Sequence, residues 1–363
     1  EQLAGPPDAL IVFASPDNDA VALLEALAEA AGTTTIVGCS SAGEFTSSGA
    51  GQGLTNVTAI RSPDMRFSAT LGTGLSADYS RAAGQMLGGF TAARQPDFPF
   101  RCALILLDAL AGHAEELVDA LTVQTAGSYR FFGGGAGDDA RFQKTQVFCG
   151  TRAYSDAAVA LEILSRKPVG IGARHGWSAA SAALRVTEAQ AACVVSLNAA
   201  PAVEAFEDHA VATGQQFDAA DPLPFFLHNI VGVDTGNGLK LRVPLGVGEE
   251  GSVTYAAEIP LGAKTHIMST GDTSAADAAV DAARDAVRQV TEGGGAPKAA
   301  LFFDCVATRL RLGKGFENEL AALSGELKGI PFAGFNSYGQ VVRADGQFSG
   351  FHNCTAVVCV LPE

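Results

Sequence analysis

Ile36-Val37-Gly38-Cys39-Ser40-Ser41-Ala42-Gly43-Glu44 is an apolar run that ends in glycine and passes into a polar turn carrying a second glycine. What precedes it gives the run its meaning. Leu10 to Phe13 is a short apolar stretch and Val21 to Ala31 has helical periodicity, so the whole reads as strand, crossover helix, strand and turn. The pattern returns twice. Leu104 to Leu107, the helical Glu115 to Leu121 and Phe131-Phe132-Gly133 form a second copy. Leu301 to Phe303, Phe316 to Leu323 and Phe332-Ala333-Gly334 form a third. Ile11 to Gly38 spans 27 residues, Ile105 to Gly133 spans 28 and Phe302 to Gly334 spans 32, lengths that suit a parallel strand pair joined by a helix.

Each copy is followed by two alternating or β-branched runs that read as antiparallel strands. These are Val57 to Ile60 with Phe67 to Leu71, Gln146 to Cys149 with Ala157 to Leu164, and Gln340 to Arg343 with Thr355 to Leu361. Between the second and third copies the pattern changes. Leu184 to Val186 and Cys193 to Leu197 predict a hairpin, Pro201 to His209 a helix, and Lys240 to Val243, Val253 to Ile259 and Thr265 to Met268 a meander of strands. An alanine-rich helix is expected from Ala275 to Val290, closed by Gly293 to Gly295. The fold class is α/β in the mixed α+β sense: repeated β-α-β-β-β units forming mixed sheets packed with helices, in two pseudo-related halves. The boundary falls near Lys167-Pro168 or at His175-Gly176-Trp177.

The three turns align on their glycines as Cys39-Ser40-Ser41-Ala42-Gly43-Glu44, Gly134-Gly135-Ala136-Gly137-Asp138-Asp139 and Phe335-Asn336-Ser337-Tyr338-Gly339-Gln340. Each sets an acid or amide directly after a glycine. Turns at strand ends in α/β sheets are where ligands are received, so the three are expected to converge on one cleft lined by Glu44, Asp138 and Gln340. The competing reading makes these side chains acceptors for their own turn backbones. The glycine run at 133–137 matches neither dinucleotide nor P-loop spacing, and Asp138-Asp139 would repel a pyrophosphate.

The 363 residues carry 24 Lys+Arg against 39 Asp+Glu, a net charge of -15, with no basic run, which argues against nucleic acid and anionic membrane as partners. No apolar stretch approaches a membrane span. Seven cysteines at scattered positions, without CxxC or zinc spacing, fit a reducing, cytoplasmic setting and read mostly as small buried hydrophobes. Cys39 or Ser40 with His352 and Asn353 could imitate a nucleophile–histidine–amide set, the least favoured reading, a Cys/Ser-dependent enzyme. His175 and His352 are the two histidines that could serve singly as axial haem ligands, with Arg309, Arg311 or Arg174 for a carboxylate or propionate.

In its order of motifs the sequence resembles the FIST family of bacterial sensory domains. The N-terminal resemblance rests on residues 36–44, on Phe132 to Asp139 followed by Thr145-Gln146-Val147-Phe148, and on Gly176-Trp177. The C-terminal one rests on Asp304-Cys305 with Arg309 and Leu312-Gly313, on Glu319-Leu320, on Gly334 to Gln340, and on His352-Asn353-Cys354-Thr355. It departs from the family pattern in Gln340, where a glutamate is usual, and in a Cys305–Arg309 spacing one residue longer. The resemblance implies a FIST N-terminal domain over 1–177 and a C-terminal domain over 178–363. It also implies a signal-transduction module, not an enzyme, that binds an amino acid-like molecule and works with a partner such as a histidine kinase. One branch implies a haem-binding nitric oxide sensor. On this basis the ligand-binding residues are expected to be Cys39, Ser40, Ser41, Glu44, Gly134, Gly135, Asp138, Asp139, Arg309, Asn336, Ser337, Tyr338, Gln340, His352 and Asn353, with His175 or His352 on the iron if haem is bound.

Overall fold

The computed structural model describes residues 3, 5–271, 274–344 and 348–363. The first repeat is β1 (Ala9–Ala14), α1 (Ala20–Ala31) and β2 (Ile36–Ser40). All six residues of β1 are buried, as a continuous apolar run in a parallel pair should be. Asp19 caps α1 by accepting from the Ala22 N–H (3.1 Å), and Gly32 ends it in the left-handed conformation. After the first turn come β3 (Glu44–Thr46), β4 (Gly49–Gly51), β5 (Thr55–Ile60) and β6 (Met65–Thr73), then α2 (Tyr79–Gly88). The second repeat is β7 (Phe100–Leu107), α3 (Ala114–Gln124) and β8 (Arg130–Gly135), followed by β9 (Val147–Cys149), β10 (Arg152–Tyr154), β11 (Ala157–Ser165) and β12 (Gly170–Arg174).

An inserted region then builds a sheet of its own. It comprises β13 (Trp177–Ala179), β14 (Leu184–Gln190), β15 (Cys193–Leu197), β16 (Ala200–Pro201), α4 (Ala202–Thr213), α5 (Leu223–Phe226), β17 (Val231–Asp234), β18 (Leu239–Arg242), β19 (Pro244–Val247), β20 (Val253–Tyr255) and β21 (Lys264–Thr270). The long α6 (Ser274–Glu292) leads into the third repeat: β22 (Pro297–Cys305), α7 (Val306–Leu312), α8 (Phe316–Leu327) and β23 (Phe332–Ser337). The chain closes with β24 (Gln340–Arg343), β25 (Ser349–His352) and β26 (Ala356–Pro362). The expected 177/178 boundary lies inside β13.

The strands read as antiparallel partners within each repeat do form, but they do not pair with one another. The hairpin after each turn crosses to a different repeat: β3–β4 joins β23, β9–β10 joins β2, and β24–β25 joins β8. The later strands β5, β11 and β26 return antiparallel to β1, β7 and β22 of their own repeat. The exchange is cyclic. Each repeat lends a hairpin to one neighbour and receives one from the other.

The three exchanged sheets enclose a shared core in which Phe13, Phe132, Phe303 and Phe335 meet, Phe13 stacking on Phe335 at 4.4 Å between centroids. Helices cover the outer faces: Leu24 of α1 packs on the first sheet, α2 and α3 on the second, α6 and α8 on the third. The glycines inside the second strand of each repeat have one physical reason. At Gly38, Gly133 and Gly334 a Cβ would overlap the carbonyl oxygen of Val12, Ile105 and Phe302, their register partners in the parallel strand alongside.

The insert is tied to the body by a buried charge. Arg242 of β18 donates to the Phe351 carbonyl (2.9 Å) and to Glu115 (3.1 Å), and Glu115 also receives Lys240 (2.5 Å) and the Phe351 N–H (3.1 Å).

Candidate functional site

The three corners meet. Between the first and third, the Ala42 N–H donates to the Asn336 carbonyl (3.0 Å) and the Asn336 N–H to that of Gly43 (2.8 Å). Between the second and third, Gly135 donates to Gly339 (2.8 Å) and Tyr338 to Gly135 (3.0 Å). Between the first and second, Gly137 donates to Ser40 (2.9 Å) and Asp139 to Ser41 (3.2 Å). Every pair of corners is therefore joined by two backbone bonds, which answers for polar groups that no sheet ladder could satisfy.

Most side chains of the corners are spent inward. Glu44 accepts from the Ser41 hydroxyl and the Leu54 N–H (3.1 Å); burial outweighs these donors and raises its carboxyl pKa. Asp138 is wrapped by the loop that follows it, accepting from the amides of Phe142 (2.8 Å), Gln143 (2.7 Å) and Lys144 (2.8 Å) and from the Tyr338 hydroxyl. Burial pushes its pKa up, but the Tyr338 hydroxyl and the three amides together hold it below the ordinary value. Gln340 donates to the Ser337 hydroxyl (2.8 Å) and accepts from the Thr355 N–H (3.2 Å), and Ser40 closes on Gln146. Gly134 and Gly135 lie under Ser337 and Tyr338 at distances that leave no room for a Cβ.

Three polar atoms at the same junction are left over. Asp139 Oδ1, Arg309 Nε and Asn336 Nδ2 are buried without a hydrogen-bond partner. Asn336 and Arg309 lie close together: a Cβ on Gly43 would stand 2.9 Å from Asn336 Oδ1 and 3.5 Å from Arg309 Nε. Burial lowers the Arg309 pKa, and the charges of Asp139 and Glu44 resist that change.

Arg309 belongs to α7, whose faces look three ways. Its apolar face, Val306, Ala307 and Leu310, forms one wall of a pocket of ≈ 80 Å³, into which Tyr338, Asn353 and Cys305 also face. The opposite wall comes from the insert, with Leu223, Leu227, Val243 and Leu245. Phe142 stacks on Tyr338 at 4.6 Å and closes one side. The lining carries no charged side chain. Across α7, Thr308 and Arg311 face a small hollow of ≈ 10 Å³ lined also by Asp304, Glu319 and Arg174. Both Glu319 oxygens and Asp304 Oδ2 are buried without partners, and burial drives both carboxyl pKa values upward.

The apolar wall from the insert and Cys305 were not read as site residues from the sequence. The one available signal was Cys305 itself, the last residue of a buried strand and the cap of a helix that starts with no loop between.

Cys39 is fully buried in the shared core, its thiol pushed far up by burial, and no hydrogen bond joins it to His352 among the described residues. It is no activated nucleophile. His175 and His352 both pack against Phe348, with ring centroids 5.8 and 5.6 Å away. His352 is buried and neither ring nitrogen makes a well-formed hydrogen bond; burial, then Lys240 and Arg242, lowers its pKa and keeps the imidazole neutral. A haem needs an apolar slot with an imidazole directed across it. The hollow that His352 faces is lined by Leu239 and Phe348 but equally by Thr235, Asn237, Lys240 and Ser349, with no apolar slot wide enough for a porphyrin, and the apolar pocket beside α7 contains no histidine. The described residues do not fit that group.

No helix among the described residues is long and apolar enough to cross a membrane. Comparison with curated proteins yields no match. Family models do match: the FIST N domain over residues 8–200 and the FIST C domain over residues 202–343. With cyclic repeats, three joined corners and these two matches over nearly its whole length, the chain belongs to the FIST family of sensory, signal-transduction modules.

Proposed function

We propose that this chain is a cytoplasmic small-molecule sensor whose ligand occupies the apolar pocket between α7, Tyr338 and the insert. The carrying observation is the lining: apolar side chains from body and insert, with Asn353, Tyr338 and Cys305 as the few polar groups and no charge. Pockets of that composition hold small molecules with an apolar body and one polar end. A ligand there touches both parts of the molecule, so it favours whichever arrangement of the two closes around it, and a partner such as a histidine kinase reads that difference. The reduced thiols suit the compartment.

The test is a calorimetric panel of small metabolites against wild type and Ala307→Trp, which fills the pocket. Loss of every binding signal in Ala307→Trp supports the site, and unchanged binding removes it.

A further inference from the structure

Where the insert meets α3, three metal-ligating side chains converge that the pocket does not use. His113 is the residue that caps α3 and Glu116 stands three positions on, so the two share one side of the first turn. Glu258 reaches them from the insert, in the segment between β20 and β21, where its carbonyl accepts from Arg242 Nε (3.0 Å). One imidazole nitrogen and one oxygen of each carboxylate all lie within 4.8 Å of one another. His113 Nδ1 is shut off from solvent and makes no hydrogen bond, and it stands 3.6 Å from Glu116 Oε1. That span is too long for a hydrogen bond. It is close to the ~3.4 Å that separates two donors each ~2.1 Å from a tetrahedral ion. The Tyr79 ring packs beside the imidazole, with 5.4 Å between centroids, and limits its rotation. Two carboxylates held this close repel each other until a proton or a cation lies between them. Neither is paired with a lysine or arginine among the described residues, because Lys240 and Arg242 are both engaged by Glu115 (2.5 and 3.1 Å).

We propose that His113, Glu116 and Glu258 form a site for one divalent transition-metal ion, of the zinc or cobalt kind, that clamps the insert to the body. The donor set decides the class. An imidazole nitrogen with two carboxylate oxygens suits such ions, whereas magnesium and calcium call for oxygen donors throughout and gain nothing from the imidazole. The two carboxylates balance the charge of the ion, and three protein donors leave a fourth position for water. The site goes beyond the sensory reading and stands whether or not the apolar pocket binds a ligand. It does adjoin that pocket: Ala109 of the body and Ala256 of the insert, both in the pocket lining, lie four and two residues along the chain from His113 and Glu258. An ion that joins those two ligands therefore fixes the spacing of the two walls.

The experiment titrates the native full chain, stripped with a chelator and with its accessible thiols alkylated, with Zn²⁺ by calorimetry and with Co²⁺ by absorption. One ion per chain is expected, and the cobalt spectrum should show nitrogen and oxygen ligation with no thiolate charge-transfer band. His113→Asn removes the imidazole and keeps a residue type that tolerates the left-handed backbone angle found there (φ 55). Glu258 is exposed, so Glu258→Gln should leave the metal-free melting temperature unchanged, and a folding defect cannot then stand in for lost binding. Each variant is expected to weaken Zn²⁺ binding about tenfold or more. Zn²⁺ should also raise the melting temperature of the wild type and slow amide exchange in 113–117 and 256–263 together, and do neither in the variants. Unchanged affinity in both variants, a thiolate band in the cobalt spectrum, or Mg²⁺ binding as tightly as Zn²⁺ overturns the proposal.

Discussion

At the scale of single residues, the corners show how a carboxylate becomes structure. Asp138 holds four donors and organises a loop in which Asp139, Ala140 and Phe142 all take left-handed backbone angles, a conformation that non-glycine residues adopt only when neighbours impose it. Asp138→Asn should cost about 3 kcal/mol in urea unfolding at pH 7, as hydrogen bonds to a charged group are lost. Because the folded state depresses this carboxyl pKa, its contribution is present above the ordinary value near ~4 and disappears as pH falls through the lower folded value, so the variant should lack that part of the acid transition. Asp304 and Glu319 behave in the opposite sense. Their raised values mean stability that is full at low pH and declines as pH rises through the folded values; Asp304→Asn with Glu319→Gln should flatten that decline in a series of thermal melts. Gly334→Ala is expected to destabilise by about 3 kcal/mol, or to prevent folding, because the new Cβ overlaps the Phe302 carbonyl and backbone cannot yield as a side chain can.

At the scale of elements, α7 is the hub, with one face on the apolar pocket, one on the acidic hollow and Arg309 at the corners. Its neighbour sheet depends on Asn56, whose amide donates to the Phe45 carbonyl (3.2 Å) of the visiting strand β3 and to the Gly334 carbonyl (2.7 Å) of the resident β23. Asn56→Ala should cost about 1–3 kcal/mol and raise amide exchange in β3 and β4 before other strands. The helices and strands themselves were readable, because periodicity and buried runs such as Ala9–Ala14 are local properties. Which strand pairs with which was not. Gln340–Arg343 looks the same whether it joins its own repeat or, as it does, β8, and nothing within those four residues encodes the destination. The corner residues were legible for a like reason: glycine followed by an acid or amide is visible in the chain. Whether such a side chain faces a ligand or its own backbone depends on the loop that folds over it. Leu223 and Leu227 carry no mark of a pocket wall, since only the docking of the insert makes them one.

At the scale of the whole molecule, the insert and the body share one buried cation. Arg242 is pulled down in pKa by burial and supported by Glu115, and breaking such a pair leaves a charge without a partner. Glu115→Ala should therefore destabilise by about 3–5 kcal/mol, with faster hydrogen exchange over 231–270 as the local sign. The traded hairpins carry a consequence for synthesis. As the polypeptide leaves the ribosome, the second sheet waits for Gln340–Arg343 with Ser349–His352 and the third for Ala356–Pro362, so two β-edges stay unfinished until those strands emerge. A product stopped short of those residues would present open edges to its neighbours, and its fate in the cell would be clumping or degradation, with no half-working sensor left behind.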